Sequence, residues 1–305
     1  MNPSIDISSS VDRVAPIRKL RCKPERRDPG GGGINVARVV QRLGVDVLAL
    51  YPAGGSPGVL LHRLLDAEGV ASRPVEIAGD TREDLTILDE STAEQFRFVF
   101  PGPRLEAREL SGVMELVAGL APLPGLVVAS GSLPPGAPDD FFARLARVVK
   151  RRGARFVLDA SGAALKHALD EGAWLVKPSL REFGELLGRP LEHEGDWRAA
   201  AAELVRSGKA EVVALTLGDR GALLVTAERA FRAPALPVTV VSAVGAGDSF
   251  LGGMVASLAR GRSLLESFRV GVAAGSAAVE MPGTALCTRG EVERLVAGVE
   301  TVELG

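Results

Sequence analysis

Short apolar runs alternate with longer amphipathic segments along most of the chain. The apolar runs are VLAL (47–50), LVVAS (126–130), FVLDA (156–160), WLVK (174–177) and VVALTL (212–217). The amphipathic segments cover 33–43, 58–69, 139–152, 196–208, 247–260 and 264–280. Continuous apolar runs are typical of buried parallel strands. Their alternation with helices predicts an α/β fold with a mostly parallel central sheet and helices on both faces.

Two stretches break this alternation. Residues 5–21 and 84–100 are extended, with apolar and polar residues in turn and no helix within them. The pair DLTILDE and EQFRFVF is typical of a hairpin with a short polar turn. We therefore expect a small separate sheet, formed by about 5–21 and 82–100, that covers one end of a single domain spanning 1–305.

The segment SAVGAGDSFLGG (242–253) is the most informative about chemistry. The preceding run PVTVV (237–241) predicts a strand, Gly245, Ala246 and Gly247 a turn, and Asp248 the first turn of a helix. Amides that open a helix form an anion site. A carboxylate among them suits a phosphoryl group in transit, with Asp248 as general base and the amides of residues 245–248 stabilising charge. A glycine turn before an acidic helix start, which the helix dipole favours, explains the same residues.

Four consecutive glycines, Gly30–Gly33, open another predicted helix, which carries Asn35. No Gly-Lys-Ser/Thr follows, which excludes a P-loop, and the spacing and the lack of a preceding strand exclude a dinucleotide fingerprint. The glycines would let a small polyol lie against bare backbone, with Asn35 reaching its hydroxyls. A flexible loop followed by an ordinary first-turn asparagine is the alternative.

Arginines in the two covering segments form a third candidate. Arg82 and Arg97 carry planar guanidinium groups that suit phosphate oxygens. Arg97 alternates with three phenylalanines along its predicted strand. A solvated strand face is the structural alternative.

Two further segments allow a chemical and a structural interpretation. Ser179 and Glu182 match the capping box Ser-x-x-Glu, while the same segment could place Lys177 near phosphates and Glu182 near hydrated Mg²⁺. The segment TLGDRG (216–221) could wrap a nucleotide, although a hairpin is the simpler interpretation.

Composition narrows the class of protein. The 305 residues are 46% hydrophobic and 24% charged, which is typical of a globular protein, and the net charge of −2 with a pI of about 6.0 argues against nucleic-acid binding. Cys22 and Cys287 offer neither a disulfide framework nor zinc spacing, which favours a reducing compartment. No leader and no apolar run of 18 residues is seen. We expect no membrane partner and a cytoplasmic location.

The motifs together resemble a known family. GGGGINVAR (30–38), SGSLPPG (130–136), VKP (176–178), TLGDRGA (216–222) and VGAGDSF (244–250) follow the order and spacing of the ribokinase-like PfkB carbohydrate kinases. NPSID (2–6), KLRC (19–22), EQFRFVFPG (94–102) and GVAAGSAA (271–278) are similar to the minor-type ATP-dependent 6-phosphofructokinases of that family. The resemblance covers essentially the whole chain.

The resemblance implies a three-layer α/β domain with a β lid and a homodimer formed through the lids. It also implies ATP-dependent phosphorylation of a sugar phosphate, fructose 6-phosphate first. Tagatose 6-phosphate, fructose 1-phosphate and a homologue that binds sugar or nucleotide without turnover are the alternatives. ATP and Mg²⁺ are the implied cofactors, with K⁺ as a further candidate.

The resemblance assigns roles residue by residue. Asp248 matches the catalytic base, with Gly245, Ala246 and Gly247 as the anion hole. The sugar positions are Asp6, Gly31, Asn35, Ser130, Arg82 and Arg97. The nucleotide positions are Lys177, Ser179, Thr216, Gly218, Gly221, Ser276 and Lys19. Glu182 matches a Mg²⁺-linked acid, and carbonyls near Ser242 and Val244 match a monovalent cation site.

The chain departs from the family pattern in three places. Ser179 replaces the asparagine of Asn-x-x-Glu, which puts Mg²⁺ affinity in question. Met281 and Ala285 replace polar residues in the cation loop, near 279–285, which puts K⁺ dependence in question. The sequence starts where the first strand of the family ends. We therefore expect either an upstream start or an open strand position with apolar surface and exposed edges.

Overall fold

The computed structural model describes residues 1–304 and contains alternating helices and strands. The strands are β1 (Ser4–Val11), β2 (Arg26–Gly30), β3 (Leu48–Ala53), β4 (Ala71–Glu76), β5 (Arg82–Asp89), β6 (Glu94–Phe98), β7 (Leu126–Ser130), β8 (Arg155–Asp159), β9 (Ala173–Val176), β10 (Ala210–Thr216), β11 (Ala222–Val225), β12 (Ala230–Ala233) and β13 (Val302–Leu304). The α-helices are α1 (Gly32–Arg42), α2 (Gly55–Ala67), α3 (Ala107–Ala118), α4 (Phe141–Arg151), α5 (Gly162–Glu171), α6 (Leu180–Leu187), α7 (Glu194–Arg206), α8 (Ala246–Ala259), α9 (Leu264–Val279) and α10 (Arg289–Val296).

The central sheet confirms the predicted fold class. Its strand order is β13-β12-β11-β10-β9-β8-β7, with β7 to β10 parallel and β11 to β13 added antiparallel. Parallel strands align their carboxyl ends at one edge, which is where loops of open α/β sheets bind ligands.

The core lies on both faces of this sheet. Along β8, Phe156 and Leu158 pack with α3 to α7, while Val157 points to the opposite face with α1, α8, α9 and α10. Successive strand residues face opposite sides, so a strand that is buried on both faces is apolar throughout. This is the three-layer arrangement that the alternating pattern predicts. No helix within residues 1–304 is long and apolar enough to cross a membrane.

A separate four-stranded sheet, which we call the lid, has the order β2-β1-β5-β6. It contains the predicted hairpin, β5 with β6, but the first predicted segment, 5–21, is too long, because β1 ends at Val11. The lid also contains β2, which runs directly into the four glycines. The expectation that no strand precedes those glycines is therefore wrong.

The predicted strand PVTVV (237–241) is also wrong. These residues have no regular structure, and Val240 and Val241 are 67% and 50% exposed. Pro237 and Val238 line a large cavity instead of pairing with a neighbouring strand. A β-branched run favours extended backbone, but a strand also needs a partner.

Strands β3 and β4 form a parallel pair apart from the central sheet. A groove of about 870 Å³ separates β3 from β7. Apolar residues of both strands and of the flanking helices line it, among them Val40, Leu48, Val127 and Leu258. The groove therefore separates the pair β3–β4 from β7, the edge strand of the central sheet.

Candidate active site

A cavity of about 1020 Å³ lies at the carboxyl edge of the central sheet, between the loops that follow β7 to β10 and the start of α8. Sequence-predicted residues from five separate segments line it: Ser130, Lys177, Ser179, Glu182, Thr216, Gly218, Gly221, Gly245, Ala246, Gly247, Asp248 and Ser276. The fold thus brings together most of the predicted nucleotide and catalytic positions, which span almost 150 residues of sequence.

The GAGD segment forms the start of α8. Gly245 is the N-cap and adopts φ 74°, a left-handed conformation that glycine accepts without strain. Gly247 and Asp248 lie in the first turn, where amides have no partner within the helix. Unpartnered amides and a carboxylate therefore share one helix terminus, as the sequence predicts.

Asp248 faces the second glycine-rich motif. The Asn35 amide Nδ2 donates to its Oδ2 at 2.8 Å, across 213 residues of sequence. Burial raises the pKa of Asp248 to about 7, and the charge of Asp159 also raises it, whereas Asn35 and Lys177 act in the opposite direction. A carboxyl that titrates near neutral pH suits a general base.

Close packing explains why glycines precede Asn35. A Cβ on Gly32 would lie 2.6 Å from the Ser130 Oγ, so only glycine lets α1 begin against the end of β7. Gly32 and Ser130 both line the cavity. The Ser130 hydroxyl points towards Asp159, 3.4 Å from its Oδ2.

Asp159 is a site residue that the sequence analysis missed. Its carboxylate lies 3.1 Å from the Lys177 Nζ, and Lys177 is 4% exposed. Burial alone would lower the pKa of Lys177, but the carboxylates of Asp159, Glu182 and Asp248 outweigh it, so the pKa is raised and the ammonium stays charged. The signal was a carboxylate that ends an apolar strand, FVLDA, at the ligand-binding edge of the sheet.

Ser179 and Glu182 form the predicted capping box at the start of α6. The Ser179 amide donates to the Glu182 Oε2 at 2.8 Å, and the Glu182 amide donates to the Ser179 Oγ at 3.3 Å. Both residues also line the cavity. The cap is thus present, and it leaves the carboxylate beside the cavity, where it could also serve a metal.

The segment TLGDRG forms a hairpin and also lines the cavity. Thr216 pairs with Ala222 across the β10–β11 turn, which confirms the simpler interpretation. Gly218 has φ 64° and Gly221 has φ 89°. These two positions let the turn fold back beside the cavity. Ser276 of α9 lies in the same wall.

The lid carries three of the residues predicted to bind the sugar phosphate, Asp6, Arg82 and Arg97, and none of the three lines the cavity. The Asp6 carboxylate accepts from the Ser4 hydroxyl at 2.6 Å, and burial raises its pKa, with Asp84 adding to the rise and Arg82 and Arg97 opposing it. In the strand register Asp6 lies opposite Asp84, two residues before Thr86, and Thr86 lies opposite Arg97. Asp6 and Arg97 therefore share one face of the lid.

The Arg82 guanidinium is occupied within the chain. It donates to the carbonyls of Phe100 at 2.7 Å and Asn2 at 3.1 Å, and it lies 3.1 Å from the Asp84 carboxylate. Its Nε is buried without a partner among the described residues. Gly31 contacts the same part of the chain, since a Cβ there would lie 2.9 Å from the Pro3 Cα.

The two segments predicted to hold a monovalent cation, near 242–244 and 279–285, are joined by Ser242. Its hydroxyl donates to the Gly283 carbonyl at 2.8 Å and lies 3.2 Å from the Gln95 Oε1 of the lid, while the Val244 amide donates to the same hydroxyl at 3.3 Å. Lys19, by contrast, is exposed on the segment 12–25 and is not part of the cavity wall. Residues 1–304 contain no group of three or more His, Cys, Asp or Glu side chains that could hold a metal without help from a ligand.

Comparison with known proteins gives a consistent result. The model of the pfkB family of carbohydrate kinases matches residues 1–289. ATP-dependent 6-phosphofructokinase isozyme 2 of Mycobacterium tuberculosis (strain H37Rv) is 47% identical over 306 residues, which cover 100% of this chain and 90% of that protein.

Solved structures agree with the sequence relatives. Phosphofructokinase-2 from Escherichia coli in complex with fructose-6-phosphate superimposes with a TM-score of 0.92 at 40% identity and covers 98% of this chain and 97% of that one. The same enzyme in complex with potassium has a TM-score of 0.93 at 41% identity, with 98% and 96% covered.

Proposed function

Because the chain belongs to the pfkB family of carbohydrate kinases, we propose that it transfers the γ-phosphoryl group of ATP to a hydroxyl of fructose 6-phosphate. It is a phosphotransferase that acts on an alcohol group. The observation that carries the proposal is the contact between Asn35 and Asp248, which joins the two glycine-rich motifs at the wall of the large cavity that Gly32 and Asp248 line.

The geometry supports an in-line transfer. The sugar hydroxyl oxygen forms a bond to the γ-phosphorus while the bond to the ADP oxygen breaks, and Asp248 accepts the hydroxyl proton. The amides at the start of α8 stabilise the charge on the transferred group. Lys177 stays protonated because the carboxylates of Asp159 and its neighbours stabilise its positive charge. We place this charge beside the phosphates. We assign Asp6, Asn35 and Ser130 to the sugar hydroxyls and Arg97 to the sugar phosphate.

The residues present fit hydrated Mg²⁺ bound to ATP. Mg²⁺ keeps several waters and takes one or two carboxylates together with substrate phosphates, and Glu182 provides a carboxylate at the cavity wall. Bound there, Mg²⁺ would neutralise phosphate charge. Backbone carbonyls near Ser242 and Val244 are candidate ligands for K⁺, and the Ser242 hydroxyl already fixes the two loops relative to each other.

We also propose that two copies associate through their lids. Phe96, Phe98 and Phe100 are 37%, 52% and 51% exposed, and Phe96 and Phe98 lie on the edge strand β6. Exposed aromatic side chains beside an unpaired strand edge are typical of an interface. Sedimentation of the parent and of Phe98→Lys tests this assembly.

A coupled assay of ADP release tests the function directly. The panel contains fructose 6-phosphate, tagatose 6-phosphate and fructose 1-phosphate, with Asp248→Asn as the inactive control. We expect the highest kcat/KM with fructose 6-phosphate. A higher value with another sugar phosphate would reassign the substrate, and ADP release no faster than that of Asp248→Asn with all three would indicate a binding protein without turnover.

A further inference from the structure

Arg38 is a fully buried arginine next to the catalytic motifs. It lies on α1, one turn after Asn35, and is 0% exposed. In the sequence, an arginine on an amphipathic helix suggests the solvent face. A buried arginine is costly unless its donors are satisfied, so its partners are informative.

Carboxylates and a carbonyl from two other segments fix the guanidinium of Arg38. Its Nε donates to both Glu68 carboxylate oxygens at 3.0 and 3.1 Å, and its Nη1 donates to the Pro29 carbonyl at 2.7 Å. The Asp28 carboxylate lies 3.7 Å from its Nη2 and is itself fixed by the Thr284 hydroxyl at 2.9 Å. The side chain has little freedom to turn.

The remaining contact of Arg38 is with Asn35. Its Nη1 lies 3.5 Å from the Asn35 Oδ1, while the Asn35 Nδ2 donates to Asp248. Arginine has only donors and an ionised carboxylate has only acceptors. The amide between them can satisfy both only in this orientation, with its oxygen towards Arg38 and its nitrogen towards Asp248.

We propose that Arg38 is a positioning residue that holds the Asn35 amide with its N–H towards the catalytic carboxylate. The inference rests on the proposed function, because it assigns Arg38 to the base of that reaction. Without Arg38 the amide can turn its oxygen to Asp248, and that arrangement suits only a protonated carboxyl. The second hydrogen of the same Nδ2 then also loses its direction towards a sugar hydroxyl.

The charged groups that face Asp248 come from several elements. Asp6 of β1, Asp159 of β8 and Lys177 after β9 act on its charge, and Asn35 of α1 donates to it. Of these, only Asn35 contacts Arg38. A substitution of Arg38 should therefore change the pKa of Asp248 through its effect on Asn35.

Arg42 offers a matched control. It lies one turn further along α1, its Nη2 contacts the same Glu68 carboxylate at 3.1 Å, and its Nη1 donates to the Leu286 carbonyl at 3.0 Å. No contact joins Arg42 to Asn35 among the described residues. Arg42→Met therefore weakens the same ion cluster without freeing the amide.

The test measures the pKa of Asp248 by carboxyl ¹³C NMR without substrates, with the signal identified by its loss in Asp248→Asn. We expect Arg38→Met to raise this pKa by about one unit, the size of a lost hydrogen bond to a charged group. Arg42→Met should leave it unchanged. In an Asn35→Ala background, Arg38→Met should add no further shift.

Activity provides a second readout. The acid limb of kcat should move to higher pH in Arg38→Met, with kcat about fivefold lower near pH 7 and the KM for ATP unchanged. Arg38→Lys keeps the charge and should give a smaller shift, and it decides the question if Arg38→Met does not fold. Equal pKa values for the parent and for the folded Arg38 variants, or equal shifts in the Arg38 and Arg42 variants, would overturn the proposal. Because the NMR titration needs no turnover, a parent without ADP release would contradict the proposed function separately.

Discussion

At the scale of single residues, the site depends on buried charges that hold one another in place. Asp248, Asp159 and Lys177 lie together at one end of the cavity, and each shifts the proton affinity of the others. The sequence identifies Asp248 and Lys177, because glycines and a capping motif mark their segments. It does not identify Asp159 or Arg38. The position of Asp159 at the end of an apolar strand is a signal for the site, whereas nothing in the sequence near Arg38 separates a buried helix arginine from a surface one.

Replacing Asp248 by Asn should separate turnover from stability. We expect kcat to fall by about 10²–10⁴-fold, the range for a positioned acid–base group. In the parent, kcat should rise with pH through about 7, because only the ionised carboxylate accepts a proton. Initial rates between pH 5.5 and 8.5 measure both effects.

Asp248→Asn should lower activity but raise the stability of the folded protein above about pH 7. The pKa of Asp248 in the folded protein, about 7, lies above its ordinary value of 3.8, so the folded state binds the proton more tightly than the unfolded state does. The stability contributed by this group is therefore lost as pH rises from about 4 to 7. Asp248→Asn should melt at a higher temperature than the parent at pH 8.

The kcat of Asp248→Asn decides the catalytic role. If it lies within threefold of the kcat of the parent, Asp248 is not the base.

Glu182 should affect the use of Mg²⁺ more than it affects folding. Gln can replace Glu in a capping box, so Glu182→Gln should keep the cap while the Mg²⁺ concentration for half-maximal activity rises several-fold. Ser179→Ala should instead lower stability by about 1 kcal/mol and leave the Mg²⁺ curve in place.

Glu266→Gln is the matched control for this titration, because Glu266 closes the same kind of capping box with Ser263 at the start of α9, away from the cavity wall. Its Mg²⁺ curve should coincide with that of the parent. If the curve of Glu182→Gln coincides with it too, Glu182 is only a cap.

At the scale of elements, periodicity predicts the main helices and the parallel strands to within a few residues, as for LVVAS and β7. The failures have a common cause. PVTVV lacks a neighbouring strand, and β2 is a polar segment, RRDPG, whose pairing with β1 no local pattern reveals. Strand formation depends on partners that are distant in sequence, so propensity alone cannot decide it.

Substitution of Arg97 tests whether the face of the lid that it shares with Asp6 binds the sugar phosphate. Arg97→Ala should raise the KM for fructose 6-phosphate by about 10- to 100-fold, as expected for a lost charge-assisted contact of about 1.5–3 kcal/mol, and change the KM for ATP little. Arg27→Ala is the control, because Arg27 pairs with Ile7 and lies on the face opposite to Asp6. If both variants keep the KM of the parent for the sugar phosphate, Arg97 lies on a solvated face and binds no phosphate.

At the scale of the whole molecule, we expect the groove between β3 and β7 to favour association between molecules. The central sheet ends at β7, and the pair β3–β4 stands across a groove lined by apolar side chains. Exposed strand edges beside apolar surface favour association between molecules.

A charge at the rim of the groove should reduce this association. Leu48 lies on β3 at the groove and is 37% exposed, so Leu48→Lys should keep the fold and lower both the fluorescence of a bound apolar dye and the turbidity on heating. Leu187→Lys is the control, since Leu187 is 38% exposed on α6 and does not line the groove. Equal effects of the two substitutions would show that the groove is not the surface responsible.

The hydrogen bond between Asn35 and Asp248 also has a consequence for biosynthesis. The two residues are 213 positions apart, so a ribosome must complete most of the chain before the base can meet its partner. Contacts this distant in sequence form late, because a long loop must close first. A nascent chain with a folded amino-terminal half therefore cannot consume ATP. In refolding from denaturant, the return of ADP release should follow the return of helical circular dichroism, never precede it.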